Sequence, residues 1–229
     1  MSKPLIIIGG GGHAAVLAEL MNDRQRPVLG FTDVQASESD SLLTGLTFLG
    51  DDAAILSSHS PDEFELVNGL GSTGKIKRRA ILFNHFTAAG YGFTDIVHPT
   101  AYLSPSVTHG QGLQILAGAI ANTGAQLGNN VLINSRALVE HHCTIGDHSH
   151  IASGAVVCGG CRIGQSVHIG AGAVINQGIT IGDGAIIASG AEVIADVAAG
   201  SLMVGVPAQQ KRRIKPTIYW RNFRSIVHE

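Results

Sequence analysis

The sequence predicts two unlike halves: an α/β domain with a mostly parallel sheet, followed by a solenoid of short strands and tight turns. Two observations carry this. The chain opens with a strand, a glycine run and a helix-like segment, LIIIGGGGHAAVLAEL. Its second half repeats with a period of six residues, in a chain that holds 30 glycines.

The first ninety residues justify the α/β half. Pro4 to Ile8 reads as a buried strand and the segment from about His13 as a helix, with four glycines between them. VLGFTD (28–33) reads as a second strand ending in Asp33, LTFLGDD (46–52) and ELVNGLGS (65–72) as further strands, and Lys75 to Ala89 as a helix. Alternating β and α elements imply a parallel sheet. A glycine turn leading into a helix N-terminus is a ready anion site, because unpaired N–H groups and the helix dipole face the ligand. Gly10-x-Gly12-x-x-Ala15 with Asp33 resembles a dinucleotide fingerprint. The domain is short for two mononucleotide halves, and a mononucleotide or nucleotide-sugar site needs only one of them.

From Val97 to Val193 every sixth residue forms a series of seventeen positions, fifteen of them Val, Ile or Leu. Four residues after each comes a small or apolar residue, among them Ala119, Ala137, Cys143, Ala155, Cys161 and Ala173. Period six fits neither a helix nor a plain alternating strand. It fits a solenoid in which one aliphatic side chain per flat face points inward. The glycine that often follows the aliphatic, as at Gly128, Gly146 and Gly164, is expected to supply backbone freedom at the corners.

Bulk properties narrow the function. Hydrophobic content of 45% and charged content of 14% exclude a disordered chain, and no apolar run is long enough to span a bilayer. A net charge of −2 argues against nucleic acid or a membrane surface as partner. Three cysteines in no secretory context point to free thiols and a cytoplasmic protein.

TIGDHS, RIGQSV, HIGAGA and TIGDGA resemble the hexapeptide repeats of left-handed parallel β-helix acyltransferases. The order of IIGGGGH, YGFTDIVHPTAYLSPSV, hexapeptides and VGVPAQ is similar to sugar acetyltransferases of surface-polysaccharide pathways. These include N-acetyltransferases of nucleotide-linked 4-amino-4,6-dideoxy sugars, of the bacillosamine and perosamine type, and sialic acid O-acetyltransferases. The resemblance implies a Rossmann-like nucleotide-sugar-binding domain at 1–92, a left-handed β-helix binding acetyl-CoA at 93–210, and a tail at 211–229. It also implies a homotrimer with active sites between subunits, and no metal. The substrate it implies is a GDP-perosamine or a UDP-linked equivalent, in O-antigen, lipopolysaccharide or glycan biosynthesis.

The family pattern V-[DE]-H-[DE]-C-x-I-G falls on Val139–Gly146, so His141 takes the position of the general base. Attack on a thioester needs the amine or hydroxyl to shed its proton, and imidazole titrates near working pH; a solvated surface histidine is the competing reading. His142 stands where the family usually has a carboxylate. It can accept a hydrogen bond but brings no negative charge, which Glu140 or a neighbouring subunit could supply. Gly159, one coil beyond His141, is placed by the resemblance as oxyanion donor; a corner glycine is the bland alternative. The resemblance further places acetyl-CoA contacts on His150, Gly159, Ala171 and Ser189, and sugar-nucleotide contacts on Gly11, Gly12, His13 and Asp33. His148 and His168 read as surface residues and His109 as a partly exposed one. Cys143 and Cys161 read as core filling rather than nucleophiles or zinc ligands. The cluster Lys211, Arg212, Arg213, Lys215 reads equally as a CoA-phosphate contact or a solvated tail, and TIYWRNF (217–223) as a docking segment.

Two rivals remain. One is O-acetylation of a free sugar with the same base. The other is a trimeric β-helix zinc enzyme of the carbonic anhydrase kind, which needs three histidines at one open site. His142 and His148, one hexapeptide apart, lie on successive faces and chelate poorly within one chain.

Overall fold

The computed structural model describes residues 3–22, 26–34, 43, 45–72 and 76–214. Lys75, Lys215 and the expected docking segment at 217–223 lie outside them. Two compact units meet between Asp95 and Ile96.

In the first unit, strand β1 (Leu5–Ile8) pairs in parallel with β2 (Val28–Thr32) on one side and β4 (Glu65–Asn68) on the other. A short β3 (Thr47–Phe48) extends the sheet beyond β2, giving the order β3-β2-β1-β4. All four side chains of β1 are buried, as a strand covered on both faces requires. Helix α1 (Gly12–Asn22) follows the glycine turn and α3 (Ile76–Ala88) follows β4. Leu82, Phe83 and Phe86 of α3 pack with Ile6, Ile8, Phe64 and Phe93 in one core cluster. Arg79 is wholly buried there; it donates to the carbonyl oxygens of Leu70 at 2.7 Å and Asn68 at 3.3 Å. Burial lowers its pKa to about 9, so it stays charged at neutral pH.

One expectation fails in this unit. The segment 46–52 is a strand only at Thr47–Phe48, and helix α2 (Asp52–Ser58) follows at once. The Asp51 carboxylate caps it, accepting from the Ala54 N–H at 3.0 Å. Seven residues are too few to display a helical period, so only the cap announces the helix.

The second unit is a three-sided parallel β-helix. Seventeen two-residue strands run from Ile96–Val97 to Glu192–Val193, one per hexapeptide. Each of the first fourteen pairs in register with the strand eighteen residues on, as Gln126 does with Thr144 and Thr144 with Arg162. From Gln114–Ile115 to Glu192–Val193 the second residue of each strand faces inward, so Ile133, Val139, Ile145, Ile151 and Val157 are buried in one continuous core. Each such side chain contributes roughly 1.5–3 kcal/mol by leaving water. The strands Ser201–Val204 and Gln209–Arg213 close one sheet as an antiparallel pair.

The corners work differently from expectation. The left-handed residue of each corner is the third after the aliphatic, at positions 112, 118, 124 and onward every six residues to 190. Most are glycine; Asn130, Arg136, His142, His148 and Ser166 are not. The glycine directly after the aliphatic has another reason. A Cβ on Gly146 would lie 2.6 Å from the backbone of Gly164 and Gln165 in the next coil. Stacked coils leave no volume there, so close approach, not positive φ, selects glycine.

Candidate active site and nucleotide cleft

The corner after Val139 carries the base candidate. His141 is exposed, and its ring lies against the α-carbon of Gly159 in the following coil. A Cβ on Gly159 would sit 2.6 Å from both Cε1 and Nε2 of that ring. The residue is glycine because the imidazole fills the space a side chain would take; its left-handed neighbour is Gly160, φ 71°. Two coils earlier and one coil earlier, the equivalent N–H groups are occupied: Thr123 donates to the Asn122 side chain at 2.9 Å, and His141 to Glu140 Oε2 at 3.1 Å. Before Gly159 stands Cys158, which offers no such acceptor. Among the described residues the Gly159 N–H has no hydrogen-bond acceptor. Glu140 Oε2 also accepts from Asn122 Nδ2 at 3.1 Å, tying two coils together. His141 Nδ1 and His142 Nδ1 are 3.0 Å apart.

The other histidines divide. His148 is buried, contrary to its expected exposure: its left-handed backbone (φ 61°) turns the ring against Asn130, whose Nδ2 is 3.1 Å from Nδ1. His150 is buried too, with Nε2 3.2 Å from Asn134 Nδ2 and its ring edge-on to His168 at 5.1 Å. His168 is half-buried rather than a surface residue, and burial lowers its pKa. His109 is exposed on an outer coil. Cys143 and Cys161 are fully buried in the core, their sulfurs turned to the carbonyl oxygens of Cys158 and Asn176 at 3.1 Å. The hydrogen bond with Cys161, followed by burial, pushes the Cys143 thiol up.

Ala171 and Ser189 are exposed and stack on one edge, where the Gly190 N–H donates to the Ala171 carbonyl at 2.8 Å. That edge follows the sheet containing Ile169 and Ile187, whereas His141 and Gly159 stand on the edge following Val139 and Val157. Within one chain, therefore, the base corner and these two residues occupy different edges of the prism. Lys211, Arg212 and Arg213 are all exposed on the final strand.

In the first unit a cleft of about 290 Å³ opens at the ends of β1 and β2. Gly10, Gly11, Asp33, Asp52, Arg78 and His85 line it. Asp33 shapes the glycine turn, one carboxylate oxygen accepting from the Gly10 N–H at 3.0 Å and the other from Val34 at 2.6 Å. Gly11 and Gly12 are exposed with open space above their α-carbons, and α1 begins at Gly12 with His13 in its first turn. Thus Gly11 and Asp33 line the cleft, while Gly12 and His13 stand beside it along the chain. Sequence reading missed Asp52, Arg78 and His85. Burial raises the pKa of Asp52 although Thr32 donates to it at 2.9 Å. Arg78 Nη2 is buried without a hydrogen-bond partner among the described residues. The signal for the last two was the spacing of Arg78, Leu82 and His85 on one face of a helix.

Residues 4–84 match the family described as PglD N-terminal domain, and residues 124–159 and 160–195 match bacterial transferase hexapeptide (six repeats). A comparison with curated protein sequences gave no match. Among solved structures, the chain is similar to the acetyltransferase domain of PglB from Neisseria gonorrhoeae FA1090, at 31% identity and a TM-score of 0.85. That similarity covers 91% of this chain and 100% of the other. The same PglB domain in complex with acetyl coenzyme A gives 31% identity and 0.84, over 92% and 100%. PerB from Caulobacter crescentus, in complex with CoA and GDP-perosamine, gives 30% identity and 0.81, over 91% and 97%. At this identity and coverage the chain is an acyltransferase and belongs to the hexapeptide-repeat, left-handed β-helix family of sugar acetyltransferases.

Proposed function

We propose that this enzyme uses acetyl-CoA to N-acetylate the 4-amino group of a nucleotide-linked 4-amino-4,6-dideoxy sugar, such as GDP-perosamine or a UDP-linked equivalent. The observation that carries the proposal is the exposed His141 ring seated on a glycine whose N–H has no acceptor among the described residues. In this reading the sugar amine attacks the thioester carbonyl carbon while His141 Nε2 removes its proton. The C–N bond forms, the carbonyl oxygen gains negative charge, and the Gly159 N–H donates to it. Collapse breaks the C–S bond, and the imidazolium returns a proton to the departing CoA sulfur. The step as written uses no metal. The bound complexes of the PglB domain with acetyl coenzyme A, and of PerB with CoA and GDP-perosamine, support the two substrates.

The glycine turn and cleft of the first unit serve the nucleotide, with Gly11, Gly12, His13 and Asp33 around its phosphates and ribose. Acetyl-CoA runs along outer corners through Ala171 and Ser189, with His150 behind. A homotrimer brings those corners of one subunit toward the His141 edge of the next. One face supports this: the outward residues Ile120, Leu138, Val156 and Val174 form an apolar stripe in register. The face carrying Gln126, Thr144, Arg162 and Thr180 is polar and exposed. Burying an apolar stripe favours association.

The test is free-thiol release from acetyl-CoA with UDP-, dTDP- and GDP-linked 4-amino-4,6-dideoxy sugars and with free sialic acid. Release with one amino-sugar nucleotide, unaffected by chelator, is the expected result, and His141→Ala should lower kcat by about 10²–10⁴-fold. Release with sialic acid alone would move the activity to O-acetylation, and a chelator-sensitive rate would reopen the metal reading.

A further inference from the structure

Helix α3 places two arginines side by side, and only one of them has a structural task. Arg79 is wholly buried and donates to the carbonyl oxygens of Asn68 and Leu70. Arg78 lines the cleft of the first unit instead. Its Nη2 is buried without a hydrogen-bond partner among the described residues. Nor does it make an ion pair there with Asp33, Asp51 or Asp52, although all three line the same cleft. A guanidinium N–H taken out of water with nothing to donate to is costly, so the position points to a ligand that supplies acceptors.

The three carboxylates are not equivalent. Asp33 uses both oxygens on its own turn, accepting from the Gly10 and Val34 N–H groups. Asp51 is exposed and caps α2 through the Ala54 N–H. Asp52 receives only the Thr32 hydroxyl, at 2.9 Å on Oδ1, and its Oδ2 accepts from no donor among the described residues. Burial raises its pKa, as befits a carboxylate short of donors. Val34, Leu56, Leu70 and Leu82 add apolar walls. The cleft therefore offers an open donor fork, an open acceptor and apolar surface between them. A diphosphate does not suit it, because three carboxylates line the same space; phosphates belong at the start of α1.

Given that the first unit holds the nucleotide of the proposed substrate, we propose that this cleft reads the base and selects guanine. Arg78 donates to O6 and N7 of the ring, and the Asp52 carboxylate accepts from N1–H and the 2-amino group. The two groups stand on different helices, α3 and α2, so each can address its own edge of one ring. Guanine alone among the common bases presents two neighbouring acceptors on one edge and two neighbouring donors on the next. Uracil and thymine flank a single N3–H with two carbonyl oxygens, so a carboxylate that meets the N–H also meets the oxygens. Adenine and cytosine carry an amino group with no ring N–H beside it, and the carboxylate gains one donor instead of two. The apolar walls take the faces of the ring.

Calorimetry on the full-length protein, with nucleoside diphosphates and no acetyl-CoA, tests this. GDP should bind on the order of 10–100-fold more tightly than UDP, dTDP, CDP or ADP. Two analogues probe the contacts without altering the protein: 7-deaza-GDP lacks the N7 acceptor, and inosine diphosphate lacks the 2-amino group. Each should bind about tenfold more weakly than GDP. Arg78→Met should no longer distinguish GDP from 7-deaza-GDP, and Asp52→Asn should no longer distinguish GDP from inosine diphosphate. UDP bound as tightly as GDP would overturn the proposal. So would an Arg78→Met protein that loses affinity for every diphosphate in the same ratio, since Arg78 would then hold phosphate and not the base. If no nucleotide binds, the nucleotide reading of the cleft falls and the base assignment with it. If GDP binds selectively but no GDP-linked amino sugar releases thiol from acetyl-CoA, the base assignment stands and the N-acetyltransferase reading fails.

Discussion

Gly159 shows how a single absent methyl group can hold a site open. The His141 ring occupies the place its side chain would take, so Gly159→Ala must displace the ring, the backbone, or both. Displacement of a base by an ångström can lower the rate by about 10²-fold. Gly159→Ala should therefore lose on the order of 10²-fold in kcat while binding the sugar nucleotide with unchanged affinity by calorimetry. Equal loss of binding and rate would mean that the substitution damages the fold. The stacking of Gly159 on His141 was legible from the sequence, because eighteen residues per coil fixes which corners meet. The His141–His142 contact was not. It depends on the left-handed backbone at His142, which shows itself only once the corner position in the hexapeptide is known. His148 was misjudged for the same reason: its left-handed backbone turns the ring toward Asn130 rather than out into water.

The hexapeptide corner contains two glycine positions that look alike in sequence and differ in physics. The one after the aliphatic, as at Gly146, is chosen by lack of volume, and the third is chosen by a positive φ. Gly146→Ala should destabilise the protein by roughly 1–3 kcal/mol, since an added Cβ overlaps backbone that cannot rotate away. Arg136 sits in the left-handed position at φ 57° and is exposed, so Arg136→Gly should leave stability unchanged or raise it by up to about 1 kcal/mol. Denaturant midpoints compare the two; a milder effect at Gly146 than at Arg136 would reverse the assignment. At this scale the six-residue period gave strand number and register without error, because each inward aliphatic recurs at one fixed step. The α/β half was harder to read. Helix α2 spans only seven residues, and its neighbour β3 only two, so neither carries a period that pattern reasoning can find.

At the scale of the whole molecule the prism poses a question of completeness. His141 and Gly159 lie on one edge, and Ala171 and Ser189 on another, so one chain does not gather the proposed base and cofactor contacts at a single corner. In a cyclic trimer, however, one edge of each subunit can face a different edge of its neighbour. In the proposed trimer, the apolar stripe through Ile120, Leu138, Val156 and Val174 would give the association its driving force. This arrangement makes a prediction that neither edge makes alone. His141→Ala removes the proposed base, and Ala171→Arg obstructs the exposed corner proposed for acetyl-CoA; each variant by itself should be inactive. Co-expressed in equal amounts, they should form mixed trimers in which about a quarter of the sites pair an intact base from one subunit with an intact corner from the next. Thiol release should then recover toward a quarter of the wild-type rate, and purified variants mixed without subunit exchange should show none. Recovery only on exchange would place the active site between copies of the chain. Mixed trimers without activity would mean that each chain carries both elements of its own site, and the path of acetyl-CoA would have to be redrawn along the His141 edge alone.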